Sequence, residues 1–194
     1  MIKVGIIDSG INSNALSRYV KHRNCIDESN CFDVNGHGTM CAYIIEKYSC
    51  SDLIFYSYKI FEEKLKAKRE HIIKALEYAI NDKLDVLNMS LSIHVGIDNE
   101  ITDLINELKR NGTRVIAAKC KGGINTLLDS INDIIIVDGC DGFAEEYKIT
   151  SPGRVMCSRE PILCKYYKSR YAFFGGNSKA TALYAALSLK NNVS

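Results

Sequence analysis

Short continuous apolar runs alternate with stretches of helical period along most of the chain, and this alternation leaves few folds open. Residues 2–7 (IKVGII), 53–60 (LIFYSYKI), 85–91 (DVLNMSL), 114–118 (RVIAA) and 134–137 (IIIV) are mostly unbroken apolar runs, the pattern of strands covered on both faces. Between them, three groups fall on helical stripes: Cys41, Ile44, Ile45 and Tyr48; Ile72, Ile73, Leu76 and Ile80; and Ile101, Leu104, Ile105 and Leu108. Asn111-Gly112 closes the last of these as a helix C-cap. Strand and helix in turn predict right-handed crossovers and an α/β fold, a doubly wound, mainly parallel sheet with helices on both faces. The region from about 140 to 170 has neither period and contains both prolines, Pro152 and Pro161. A β-ribbon or loop is expected there, before a final helix at 178–189. No repeat, low-complexity tract or linker interrupts residues 1–194, which read as a single domain.

Composition narrows the function classes. Apolar residues make up 46% and charged residues 25%, the balance of a globular protein large enough to fold without disulfides or zinc. Twenty-five basic residues against 23 acidic ones leave a charge of +2, too little for nucleic-acid binding by gross charge. LKAKR at 65–69 and KYYKSRY at 165–171 interleave bases with apolar or aromatic residues, and both read as solvated faces rather than a nucleic-acid site. Neither phosphate-binding glycine motif occurs, which argues against a nucleotide. No apolar run reaches the length of a membrane span, and MIKVGIID opens as a strand rather than a secretory signal. The eight cysteines include no C-x-x-C pair and only four histidines accompany them, so neither a metal nor a cofactor is expected. Without a signal, these cysteines read as reduced thiols and point to the cytoplasm.

Doubly wound sheets place ligands outside the carboxyl ends of their strands. Asp8 ends the first run, and Asn88 and Ser90 end the third; Lys119, Cys120 and Lys121 follow the fourth. His37, between Gly36 and Gly38, opens the first helical stripe, and Ser178, after Gly175-Gly176-Asn177, opens the Ala-rich last helix. Taken singly, Asp8 reads as a turn residue, His37 as a helix-start histidine and Ser178 as an N-cap. Together they are the parts of a nucleophilic triad: a hydroxyl, a base to take its proton, and a carboxylate to orient that base. A helix N-terminus beside the serine supplies backbone N–H groups for a developing oxyanion.

These segments resemble the subtilisin-like serine peptidases. VGIIDSGI is similar to the motif around that family's catalytic Asp, NGHGTMCA to that around its His, and GNSKATA to that around its Ser, in the family's chain order. LNMSLS resembles the strand lining the substrate channel, and VIAAKCKGG the oxyanion-loop strand. The resemblance runs from residue 1 to about 189. It implies Asp8 as orienting carboxylate, His37 as general base and acid, and Ser178 as nucleophile. Ser90, Leu91 and Ser92 would form one wall of the cleft, and Ala117, Ala118, Lys119 and Cys120 the other. A peptide or protein substrate would lie between them as an added strand.

The chain also departs from that pattern. Lys121 stands where the family has its oxyanion Asn, and Cys120 where a glycine is usual. Asn125, four residues on, is the other oxyanion candidate. The family's Ala-x-Pro-His after the serine is Ala180-Thr181-Ala182-Leu183 here. A propeptide is not expected before the first strand, and the turn EKYSCSDL is too short for the calcium loop of secreted relatives, so calcium dependence is not expected. The implied function is a cytoplasmic serine endopeptidase that processes a specific peptide or protein. The alternative is a pseudo-peptidase that keeps the cleft and binds a partner without turnover, with Lys121 as its main support.

Overall fold

In the computed structural model the apolar runs become neighbours in one sheet. The structure describes residues 1–27, 30–49, 52–94, 96–142 and 147–190. In chain order these form β1 (Ile2–Asp8), β2 (Tyr19–Asn24), α1 (His37–Tyr48), β3 (Leu53–Lys59), α2 (Arg69–Asp82), β4 (Val86–Met89), α3 (Asn99–Arg110) and β5 (Arg114–Ala118). A short α4 (Leu127–Ser130) follows, then β6 (Ile135–Cys140), β7 (Tyr147–Ser151), β8 (Arg154–Ser158), β9 (Ile162–Tyr167), β10 (Arg170–Phe174) and α5 (Gly176–Lys190). Strand order in the sheet is β2-β3-β1-β4-β5-β6-β8-β7. Every pairing is parallel except that of β7 with β8. The doubly wound α/β fold expected from the sequence is the one observed.

Each central strand feeds two cores. Val4 and Ile6 of β1, Val86 of β4 and Ile116 of β5 pack with Ile44 of α1 and Ala182 of α5. Ile7, Leu87, Met89 and Ala117, pointing to the other face, pack with Leu76 of α2 and Ile105 of α3. Continuous apolar runs follow from this, since neither face is left to water. Helix α5 is buried along most of its length, which is why it lacks a polar stripe. Asn111 is the C-cap of α3, with Gly112 next at φ +87°.

The sequence signal is weakest at the sheet edges. Strand β2 (YVKHRN) buries little beyond Val20 and Asn24, so an edge strand shows no apolar run. The irregular stretch after 140 forms β7 and β8 at the other edge, and β9 and β10 as a separate antiparallel ribbon. Cys25, Cys31, Cys41, Cys120, Cys140 and Cys164 are free thiols; Cys50, in the turn that bears on calcium, lies outside the described residues. Among the described residues, no helix is long and apolar enough to cross a membrane.

The chain builds the sheet outward in two directions from β1, with β3 on one side and β4 on the other. The carboxyl ends of β1 and β4 therefore border a topological switch point, where such sheets open a crevice.

Candidate active site

Asp8 is the last residue of β1 and is fully buried. Its Oδ1 accepts from the Ser9 N–H at 2.8 Å and the Ser9 hydroxyl at 3.2 Å. His37, the first residue of α1, brings Nδ1 to 2.8 Å from Oδ1 and 2.9 Å from Oδ2. Burial pulls the His37 pKa down, but the charge and hydrogen bond of Asp8, reinforced by Asp33, outweigh it and leave the pKa above the ordinary histidine value. The Phe174 ring meets the imidazole edge-on, 5.2 Å between centroids, and limits its swing.

Two glycines let α1 approach this close. Gly36 precedes the helix at φ +88°, a left-handed conformation costly for other residues. At Gly38 an added Cβ would collide with the Gly10 carbonyl oxygen and stand 2.9 Å from the Asp8 Cβ. Gly38→Ala is therefore expected to push α1 off β1, costing about 1–3 kcal/mol of stability as overpacking does. Lengthening of the Asp8–His37 contact should lower activity with it. Thermal denaturation of the variant checks this; an unchanged midpoint would contradict the packing described.

Asp33 holds the start of α1 from the preceding loop. It is 2% exposed and accepts from the N–H groups of Asn35 (3.1 Å), Gly36 (2.7 Å) and Thr39 (3.0 Å), and from the Thr39 hydroxyl (2.5 Å). It thus does the work of an N-cap side chain, which Gly36 lacks.

His37 and Ser178 line one cavity of about 800 Å³, together with Ser90, Leu91, Ser92, Ala118, Lys119, Cys120 and Lys121. Asp8 sits behind His37. Among the described residues, no hydrogen bond joins the Ser178 hydroxyl to the imidazole, a gap that free enzymes commonly close only on binding substrate. Ser178 is the third residue of α5, inside its first turn rather than at the N-cap position. Ala117 is buried in the core and Asn125 does not line the cavity. The Asn125 side-chain oxygen instead accepts from Lys119 Nζ at 2.9 Å.

Lys119 also ion-pairs with Asp129 at 2.7 Å, beside Arg154 at 3.1 Å. Burial would raise the Asp129 pKa, but Lys119 and the Thr126 capping contacts overcome it and hold it low. The Lys119 charge is thereby engaged. Lys121 is exposed, lines the cavity, and has no ion-pair partner among the described residues.

Several contacts around Ser178 had no signal in the sequence. Asn177 donates from Nδ2 to the Lys119 carbonyl at 2.7 Å and accepts at Oδ1 from the Gly139 N–H at 3.1 Å, tying the start of α5 to the ends of β5 and β6. Ser90 reaches the Ser178 carbonyl at 3.4 Å and accepts from Asn88 Nδ2 at 3.0 Å. Lys179 is 3% exposed and donates to the Ser158 carbonyl at 2.9 Å, with burial lowering its pKa. Cys41, one turn after His37, is fully buried, and burial first, then the Asp8 charge, keep its thiol protonated. Asp8, His37 and Cys41 bring one donor atom each within 4.8 Å of one another. A metal there would have to displace the thiol proton and would occupy the His37 ring.

The model of the subtilase family matches residues 1–137. The chain belongs to the subtilase family. Two curated subtilase relatives are the membrane-bound transcription factor site-1 protease of Homo sapiens, 28% identical over 152 residues, and subtilisin DY of Bacillus licheniformis, 25% identical over 199 residues. The first alignment covers 72% of this chain but 14% of the human protein; the second covers 93% and 72%. Among solved structures, sphericase superposes with a TM-score of 0.79 at 16% identity, over all of this chain and 78% of that one. At such identity the likeness speaks for the subtilase fold alone.

Proposed function

We propose that this subtilase is a serine endopeptidase that cleaves peptide bonds through an acyl-enzyme, with Asp8, His37 and Ser178 as its triad. The observation that carries the proposal is the Asp8–His37 pair, 2.8 and 2.9 Å apart, with His37 on the wall of the cavity that Ser178 also lines. With Asp8 holding the Nδ1 proton, the Nε2 lone pair of His37 is free to take the proton from Ser178 as Oγ attacks the scissile carbonyl. The imidazolium, stabilised by Asp8, then gives that proton to the leaving amine. Water repeats the sequence on the acyl-enzyme.

The substrate lies as an extended strand between Ser90–Ser92 and Ala118–Cys120, its main chain pairing with both walls. In this role the chain processes a particular peptide or protein. Incubation with a mixed peptide library, with the new termini read by mass spectrometry, tests the proposal. Cleavage abolished in Ser178→Ala supports it; equal cleavage by that variant would overturn it.

The developing oxyanion is met by the first-turn N–H groups of α5, which have no intrahelical acceptor. Lys121 supplies the second donor, a charge-assisted one. Lys121→Ala is expected to lower kcat by about 10²-fold, as loss of an oxyanion donor does, while Lys121→Asn keeps or raises it. Equal single-turnover acylation rates for Lys121→Ala and the parent would refute the role.

The same strand end favours a second reading, a cleft that binds a partner without turnover. Asn125 is turned to Lys119 and Asn177 to the Lys119 carbonyl. Peptide binding without cleavage or acylation would identify that case.

A further inference from the structure

The LKAKR stretch, which reads from the sequence as a solvated face, runs along the active-site cavity. Leu65, Lys66, Ala67 and Arg69 all line it. Among the described residues that line the cavity, none is an aspartate or glutamate, while four are lysine or arginine. Two of those four are neutralised locally: Arg69 by Asp98 at 2.6 Å and Glu100 at 2.7 Å, and Lys119 by Asp129 at 2.7 Å. Lys66 is exposed and has no ion-pair partner among the described residues. The acids of its own segment do not offset it: Glu62 pairs with Lys59 at 3.2 Å, Glu70 approaches Lys68 at 4.0 Å, and neither they nor Glu63 line the cavity.

Position matters as much as sign. Helix α5, which carries Ser178, packs on one face of the sheet, and α2, which follows Lys66, packs on the other. The cavity therefore crosses the carboxyl edge of the sheet, with the nucleophile at one side and Lys66 at the other. Ile72, Leu91 and Ile101 lie between the helices there and give the Lys66 side an apolar floor.

We propose that the cleft selects acidic peptides, with Lys66 recognising a carboxylate side chain that lies away from the scissile bond and beside an apolar residue. The selection of cleaved substrates rests on the peptidase reading; the selection in binding does not. An unpartnered cation in a crevice without carboxylates focuses its field on an incoming anion and repels a cation.

The test uses the full chain and three labelled peptides of one sequence, with Glu, Gln or Lys at the position distal to the cleavage site. Binding is measured on Ser178→Ala by fluorescence anisotropy, and kcat/KM on the parent. The expected order is Glu, then Gln, then Lys, with about threefold to fivefold between neighbours, the scale of one exposed ion pair. The spread should shrink at 0.5 M salt, where screening falls within about 5 Å. Lys66→Glu, in an exposed segment outside the triad and walls, should reverse the order. Equal binding of all three peptides, no binding of any, or an order untouched by Lys66→Glu would overturn the proposal. Displacement of the Glu peptide by an uncharged-base oligonucleotide of similar length, equally well and with the same Lys66 dependence, would overturn it in favour of general polyanion binding. Graded binding without cleavage would leave the acidic selection standing and remove the peptidase reading instead.

Discussion

Replacing Asp8 by Asn is expected to lower kcat/KM on a cleaved peptide by about 10⁴-fold, the loss that this isosteric change causes in serine peptidases. The Ser9 N–H, 2.8 Å from Oδ1, keeps an oxygen at that position in the variant. The new amide nitrogen then takes the place of Oδ2, 2.9 Å from His37 Nδ1. An N–H donor there makes Nδ1 the acceptor and moves the imidazole proton to Nε2, where it can no longer accept from Ser178. The pH profile should change as well. In the parent, Asp8 raises the His37 pKa above its ordinary value. The neutral ring is the base, so activity should climb as pH rises through that elevated pKa. In Asp8→Asn the charge is gone and burial remains, so the acid limb of whatever activity persists should move to lower pH. A loss of less than tenfold, with the variant folded by circular dichroism, would contradict the triad.

Asp33→Ala is expected to cost about 3 kcal/mol of stability or more. The carboxylate is 2% exposed and satisfies three backbone N–H groups and one hydroxyl at the start of α1. Hydrogen bonds to a buried charge contribute about 1.5–3 kcal/mol each, and their unsatisfied donors carry a further penalty. Asp33→Asn, which keeps one acceptor oxygen, should fall between Ala and the parent. Urea denaturation at constant m-value measures both. A shift below about 1 kcal/mol for Ala, within the range of an ordinary surface change, would show that α1 does not depend on this contact.

The part of the site legible in the sequence is the part whose chemistry is carried by residue type. A carboxylate ending an apolar run, an imidazole between glycines and a serine after glycines each announce a reactive group at a strand or helix end. The groups that set their geometry do not. Asn177 earns its role from Lys119, 58 residues away, and Ser9 and Gly38 meet only because α1 returns to β1. Asn125 was within reach along the chain, but Asp129 in the α4 capping box draws Lys119 to that side, and Lys119 takes the Asn125 oxygen. The parallel centre of the sheet was legible because burial on both faces demands unbroken apolar runs. Strand β2 was not, because an edge strand can leave much of its surface in water; for the region after 140 the sequence left a β-ribbon and a loop both open, and the β9–β10 ribbon is the one formed.

The central claim is that His37 and Asp8 activate Ser178. Treatment of the folded chain with a fluorophosphonate probe, followed by peptide mapping, measures this without a known substrate, because the reagent phosphonylates activated serines. A single adduct on Ser178, absent in Ser178→Ala and formed far more slowly in His37→Ala, is the predicted result. Folded protein that takes up no probe, or takes it up on another serine, would contradict the account.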